Sequence, residues 1–238
     1  MQGYTRHQLK QDKFAESAQG AAQWATGHRQ TVILVACLAL IAVLAITGFF
    51  AWHSRQMEQG NTDLSAAMRT FEAQLTPADA PAVPGDTTPK FTTITDRAKA
   101  AQKQFSATAD KYSMVAPGKI ARYMSGIALV QAGDKAGAEQ ELKRAADLSD
   151  KDIAALAKMA LASIYRDSNR TSDAIAIYKE LVAHPTATVS KSAAQLELAS
   201  LYETTDPKQA AQIYQQIQKD DPQSQASQLA GQRLSKAK

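Results

Sequence analysis

Residues that could carry out chemistry are few in this chain, and the first candidate is its single cysteine. Leu34-Val35-Ala36-Cys37 spells a lipoprotein-type box, in which the thiol would be lipidated and become a new N-terminus. Such a box closes a short apolar stretch, whereas fifteen more uncharged residues follow Cys37. Cys37 therefore reads as a buried apolar filler within a membrane-spanning helix. The four histidines, His7, His28, His53 and His184, fall in four separate segments, and none has a second ligand one helical turn away. His184, before Pro185, reads as a helix-end residue. The acidic clusters Ser149-Asp150-Lys151-Asp152 and Asp220-Asp221 sit at helix junctions, where capping explains a carboxylate better than paired acid–base work does. No phosphate-binding glycine loop and no serine nucleophile elbow occurs. The sequence thus points to no enzyme, metal or cofactor, and the search turns to surfaces and to the elements that would build them.

Val32 to Trp52 is 21 residues without a charge or a proline. At about 1.5 Å per residue it spans roughly 31 Å, the thickness of a bilayer core. It is too long for a cleavable signal core and has no small-x-small site behind it. Trp24 and Trp52 bracket it as interfacial aromatics do, and Arg6, Lys10, Lys13 and Arg29 precede it, against Arg55 and Arg69 in the twenty residues after. The expectation is one span in the bilayer, with the N-terminus cytoplasmic and the remainder across the membrane. The chain carries 27 basic and 23 acidic residues, and two of its four excess positive charges lie in residues 1–52. That leaves no basic stripe for nucleic acid. One cysteine allows no intrachain disulfide, so the remainder must hold by packing alone.

The organisation read from composition is an arm (1–30), a transmembrane helix (31–52) and a juxtamembrane helix (53–75) carrying Leu64, Met68, Phe71 and Leu75 on one face. Gly60-Asn61 is its weak point. A linker (76–93) follows, holding Pro77, Pro81, Pro84 and Pro89, half of the prolines in the chain. Next come a lone helix (94–117) with Ala101, Phe105 and Ala109 on one face, a repeat region (118–222) and a capping helix (223–238) with Leu229, Ala230 and Leu234.

The repeat is explicit. Gly126 and Leu129 precede Gly133, then Ala138 and Leu142. Ala162 and Tyr165 precede Asn169, then Ala174 and Tyr178. Ala199 and Tyr202 precede Asp206, then Ala210 and Tyr214. Corresponding positions recur every 36 or 37 residues, and Pro185 and Pro222 close successive units. Small residues let two helices cross closely, larger ones fill the adjoining holes, and Gly133, Asn169 and Asp206 suit tight turns. Small, large and turn positions recurring together resemble the tetratricopeptide repeat. The expected fold is all-α, an N-terminal transmembrane helix followed by a solenoid of αα-hairpins. Segment 94–117 would be half a repeat, and whether the juxtamembrane helix folds back to supply its missing partner is left open by the sequence.

In such a stack the first helix of each hairpin lines the inner wall. The groove residues expected there are Tyr123, Ile127 and Val130, then Leu156, Met159, Ser163 and Arg166, then Leu196, Ser200 and Glu203. Tyr123, Ile127 and Val130 could instead belong to the core, which leaves Met159 and Arg166 as the open pair. Ile127, Ser163 and Ser200 stand where a clamp for a terminal carboxylate would need Lys and Asn.

The arm with Gln23-Trp24-Ala25, the aromatic end Phe49-Phe50-Ala51-Trp52, the helical stalk and the repeats together resemble the ancillary SecYEG translocon subunit family. The resemblance implies a repeat domain in the periplasm, anchored in the bacterial inner membrane. Its expected partners are the SecYEG translocon, periplasmic chaperones or unfolded clients. The alternative from another class is a structural scaffold for cell division or envelope biogenesis. The oligomeric state is left open by both.

Overall fold

The computed structural model describes residues 27–77 and 89–236. The chain divides into two compact units, Met1–Arg55 and Gln56–Lys238. Among the described residues every regular element is a helix: α1 Arg29–Glu72, α2 Ile94–Lys111, α3 Ala116–Ala132, α4 Lys135–Ala146, α5 Lys151–Asp167, α6 Thr171–Ala183, α7 Lys191–Thr205, α8 Pro207–Asp220 and α9 Gln225–Lys236. The all-α expectation holds.

In the first unit, α1 is long and apolar enough to serve as a membrane span or a signal-sequence core. Its apolar side chains stand open among the described residues, with Ile33, Leu38, Leu44 and Phe50 all exposed. Cys37 is exposed too, on the stretch of α1 that the expected span would place in lipid. Thr47 hides its hydroxyl by donating to the Val43 and Leu44 carbonyls, 2.9 and 3.1 Å away. Trp24 and residues 1–26 lie outside the described residues, as do Pro81 and Pro84 of the proline-rich segment. The flanks of that segment meet: Leu75 bridges to Phe91, and the Thr76 N–H donates to the Phe91 carbonyl at 2.8 Å.

The second unit opens with residues 56–72 of α1, which pack on α2 and on the start of α3. Gly60-Asn61 does not break α1. Gly60 is buried where a Cβ would stand 3.1 Å from Pro117 and 3.2 Å from the Tyr112 ring, so its small size permits a helix contact. Ala67 is fully buried among Ala101, Phe105 and Ala109, and Phe71 meets Phe105 edge to face at 5.9 Å. Polar groups fix the register. Tyr112 donates to Asp63 at 2.9 Å, Thr70 donates to Gln104 at 2.9 Å, and Arg97 reaches the Ala73 carbonyl at the end of α1 at 2.8 Å. A cation on a helix C-terminus is favourable with the helix dipole. The half-repeat is therefore no half: α1 and α2 form the first pair of the stack.

The remaining pairs are α3–α4, α5–α6 and α7–α8, with α9 closing the end. Caps explain their limits. Thr93, Asp134, Asp150, Ser190, Asp206 and Ser224 each accept a first-turn N–H of the helix that follows. Gly133 (φ +82°) and Asn169 (φ +58°) take the left-handed conformation between paired helices, the region open to Gly and Asn. Asp206 does not. Its φ is −151° and its side chain caps α8 directly, with Pro207 at the first helical position.

The interior falls into two clusters. One joins α1, α2 and α3; the other runs from Ala138 to Ala230. At Gly126 an added Cβ would come 2.7 Å from the side chain of Leu142, which is fully buried. Ala138, Ala162, Ala174 and Ala199 have no exposed surface, and Ala210 almost none. Tyr165, Tyr178, Tyr202 and Tyr214 are buried beside them, while Leu129 is half-buried against the same cluster.

Candidate interaction surface

The predicted groove residues lie on α3, α5 and α7, the first helices of their pairs. Tyr123 and Ile127 are half-buried against the larger core cluster, as are Leu156, Met159 and Leu196. Val130 is 44% exposed, so α3 presents an apolar edge rather than a wholly internal face.

Arg166 is not an open cation. Its guanidinium donates to Glu197 on α7 at 2.8 Å, to Ser163 at 2.9 Å and to Asp167 at 3.2 Å. It bridges α5 and α7 and consumes Ser163 in doing so. Glu203 is engaged likewise, accepting from Tyr214 at 2.8 Å and from Arg233 on α9 at 3.4 Å. Ser200 is half-buried on the same helix. The structure thus brings Ser163 and Arg166 together, and separates Glu203 from them by giving it partners in α8 and α9.

Glu197 was missed in the sequence because it lies one residue beside the Leu196–Ser200–Glu203 row. Only the packing of α7 on α5 reveals an acid within reach of Arg166. A second unforeseen cluster joins α4, α5 and the cap of α6: Glu139 of α4 accepts from Lys143 at 2.7 Å, from the cap residue Arg170 at 3.0 Å and from Tyr165 of α5 at 3.2 Å. The Arg170 guanidinium also stands 3.9 Å above the Tyr165 ring, a cation–π contact. Hydrogen bonds from Lys143, then from Arg170, hold the Glu139 carboxyl below its usual range.

Tyr178 reports on the Arg166–Glu197 region. Burial pushes its phenol up to about 12, the Glu197 carboxylate adds to the shift, and Arg166 opposes it. An acid whose folded pKa is raised contributes stability that is complete below the unfolded value near 10 and is lost as pH rises through the folded value. Between about pH 10 and 12, Tyr178 is expected to cost up to about 1.4 kcal/mol per pH unit. Urea midpoints measured across this range should fall more steeply for the native chain than for Tyr178→Phe. Parallel slopes would contradict the assignment.

Open clefts lie along these helices among the described residues. One of about 540 Å³ lies between the start of α5 and the end of α6, with Lys151, Lys158 and His184 at its edge, and holds none of the predicted groove residues. One of about 260 Å³ lies against Glu203, Tyr214 and Arg233. One of about 650 Å³ lies between α7 and α9 and includes Leu196.

Comparison with known proteins agrees with this architecture. A family model described as a tetratricopeptide repeat-like domain matches residues 22–184, and a tetratricopeptide repeat model matches residues 193–224. No curated protein and no solved structure gives a match. Domains of this kind typically act as modules for protein–protein interaction. The helix pairs, their alanine crossings and a match over more than half its length place the chain in the tetratricopeptide repeat-like family.

Proposed function

We propose that the chain is a membrane-anchored adaptor that holds a protein-binding repeat stack in the periplasm beside the Sec translocon, within reach of periplasmic chaperones. The observation that carries this reading is how few residues of sequence separate the apolar run from the repeat unit. Gln56, four residues beyond Trp52, already belongs to the repeat unit. Four residues extend at most about 14 Å, so a stack tied to such an anchor stays near its membrane neighbours. Confinement of this kind raises effective concentration towards the mM range and lets weak surface contacts suffice. The four bases ahead of the apolar run favour a cytoplasmic N-terminus. The family match begins at residue 22, ahead of the span, which supports anchor and repeats working as one unit.

The test is photocrosslinking in native membranes from a probe replacing Met159, half-buried on α5. Capture of a translocon subunit or a periplasmic foldase is the expected result. Capture of unrelated proteins alone would overturn it. A stable oligomer joined to division or envelope-assembly proteins would favour the scaffold role instead.

A further inference from the structure

Within the repeat unit α1 and α2 run antiparallel: Asp63 meets Tyr112, Thr70 meets Gln104, and the end of α1 meets Arg97. The turn from α2 into α3 therefore lies at the end of the unit where α1 enters it, level with Gly60, which packs against Tyr112 and Pro117. This turn is built rather than slack. Tyr112, Val115 and Pro117 are buried, and the N–H groups of Val115 and Gly118 donate to the carbonyls of Tyr112 and Val115, each at 3.1 Å. At its tip stands Met114, which is 75% exposed, more than any other large apolar side chain among the described residues. Ile120, in the second turn of α3, is open as well. The charged residues of the turn leave one cation over. Asp110 is matched by Arg122 at 2.7 Å, and Lys111 by Asp63 at 3.3 Å. Lys119, half-buried near the start of α3, forms no ion pair among the described residues.

We propose that this turn seats on an anionic lipid surface, with Met114 in the headgroup layer and Lys119 against lipid phosphates. The inference rests on the reading of α1 as a membrane anchor. Gly60 follows Trp52 by eight residues of α1, about 12 Å of helical rise. A tryptophan at the end of a span lies at headgroup level, and the headgroup layer of one leaflet is about 5–8 Å thick. The tip of the turn projects from Gly60 towards the end where α1 enters, which covers the remaining distance. Seating Met114 there removes its apolar surface from water. A lysine can keep its four-carbon stem in the boundary while its ammonium reaches a phosphate. Lipid is the occupant chosen because the anchor guarantees a bilayer at this range. Two weak contacts suffice, since tethering already supplies a high effective concentration. A second point of contact would restrict how the stack turns about its anchor.

The test uses the full chain with Cys37→Ala, labelled with bimane through Met114→Cys or, for comparison, through Gln131→Cys at the far end of α3. Both positions are exposed, so helix content by circular dichroism should match the native chain. The chains are placed in vesicles of phosphatidylethanolamine and phosphatidylglycerol, with or without lipid carrying a nitroxide on its headgroup. The nitroxide is expected to quench the probe at 114 at least about threefold more than the probe at 131. Lys119→Glu should remove at least about half of the quenching at 114, and Lys119→Gln, which keeps much of the stem, a smaller part. Equal quenching at the two positions, or full quenching after Lys119→Glu, would overturn the assignment. So would a position 114 that is shielded in native membranes and unquenched in these vesicles, the pattern of a protein neighbour. A carbonate wash separates the two readings. If the chain stays in the vesicles with its probe unquenched, only the seating falls; if the chain is released, the anchor reading falls as well.

Discussion

Alanine at position 118 is expected to unfold the first two helix pairs of the stack. Gly118 is buried in the first turn of α3, where the chain that leaves α2 passes directly over it. A Cβ there would lie inside the van der Waals envelope of the Tyr112 carbonyl carbon and oxygen. The obstacle is backbone, so no side-chain rotation relieves it. Tyr112 cannot retreat either, since it is buried, donates to Asp63 and packs on Gly60. Overpacking that a side chain can absorb costs about 1–3 kcal/mol; a backbone collision should exceed that, roughly 4 kcal/mol or more. Against a total stability of roughly 5–15 kcal/mol this is a large share. Far-UV circular dichroism of the purified full chain under urea should show the midpoint fall sharply for Gly118→Ala. Gly133→Ala is the useful comparison, because it faces open space and is strained only by its positive φ. A midpoint for Gly118→Ala no lower than for Gly133→Ala would contradict the close approach.

Removing the ring of Phe105 is expected to release residues 56–72 from α2. Phe105 is fully buried at the centre of the smaller cluster, with Phe71 against its edge. Phe→Ala at such a site costs about 3–5 kcal/mol, including the cavity left behind, and an aromatic pair contributes about 0.5–1.5 kcal/mol of that type beyond its area. In a solenoid each unit contacts mainly its neighbours, so the damage should stay local. Hydrogen exchange is the discriminating measurement. Amides of 56–72 and 94–111 should lose protection in Phe105→Ala, while those of α7 and α8 keep most of theirs. A uniform loss along the chain would mean that the two clusters fold as one, and no loss at 56–72 would mean that this segment is held by other contacts.

Several features were legible in the residues because their causes are local. The apolar run, the spacing of about 36 residues, the alanine crossings and the capping carboxylates each depend on positions a few residues apart or on strict recurrence. Gly133 and Asn169 were recognisable as turn residues for the same reason, since the left-handed region admits few residue types. Asp206 makes the expected tight turn as the single residue between α7 and α8, and Pro207 next to it lets its side chain serve as the cap as well. Arg166 looked like an open cation because its partner Glu197 stands 31 positions further on.

The sequence by itself determined that the chain is helical, that its helices come in pairs and that one segment is apolar enough for a bilayer. Periodicity and composition carry that information, and both survive in a one-dimensional string. Only the tertiary structure decided that residues 56–72 complete the first pair, that Gly60 and Gly118 are contact points rather than flexible ones, and that α7 and α9 leave a cleft between them. Those outcomes depend on which surfaces meet after each helix has turned back on its neighbour. The distances and angles that set them come from side chains far apart in the chain, where no short-range pattern records them.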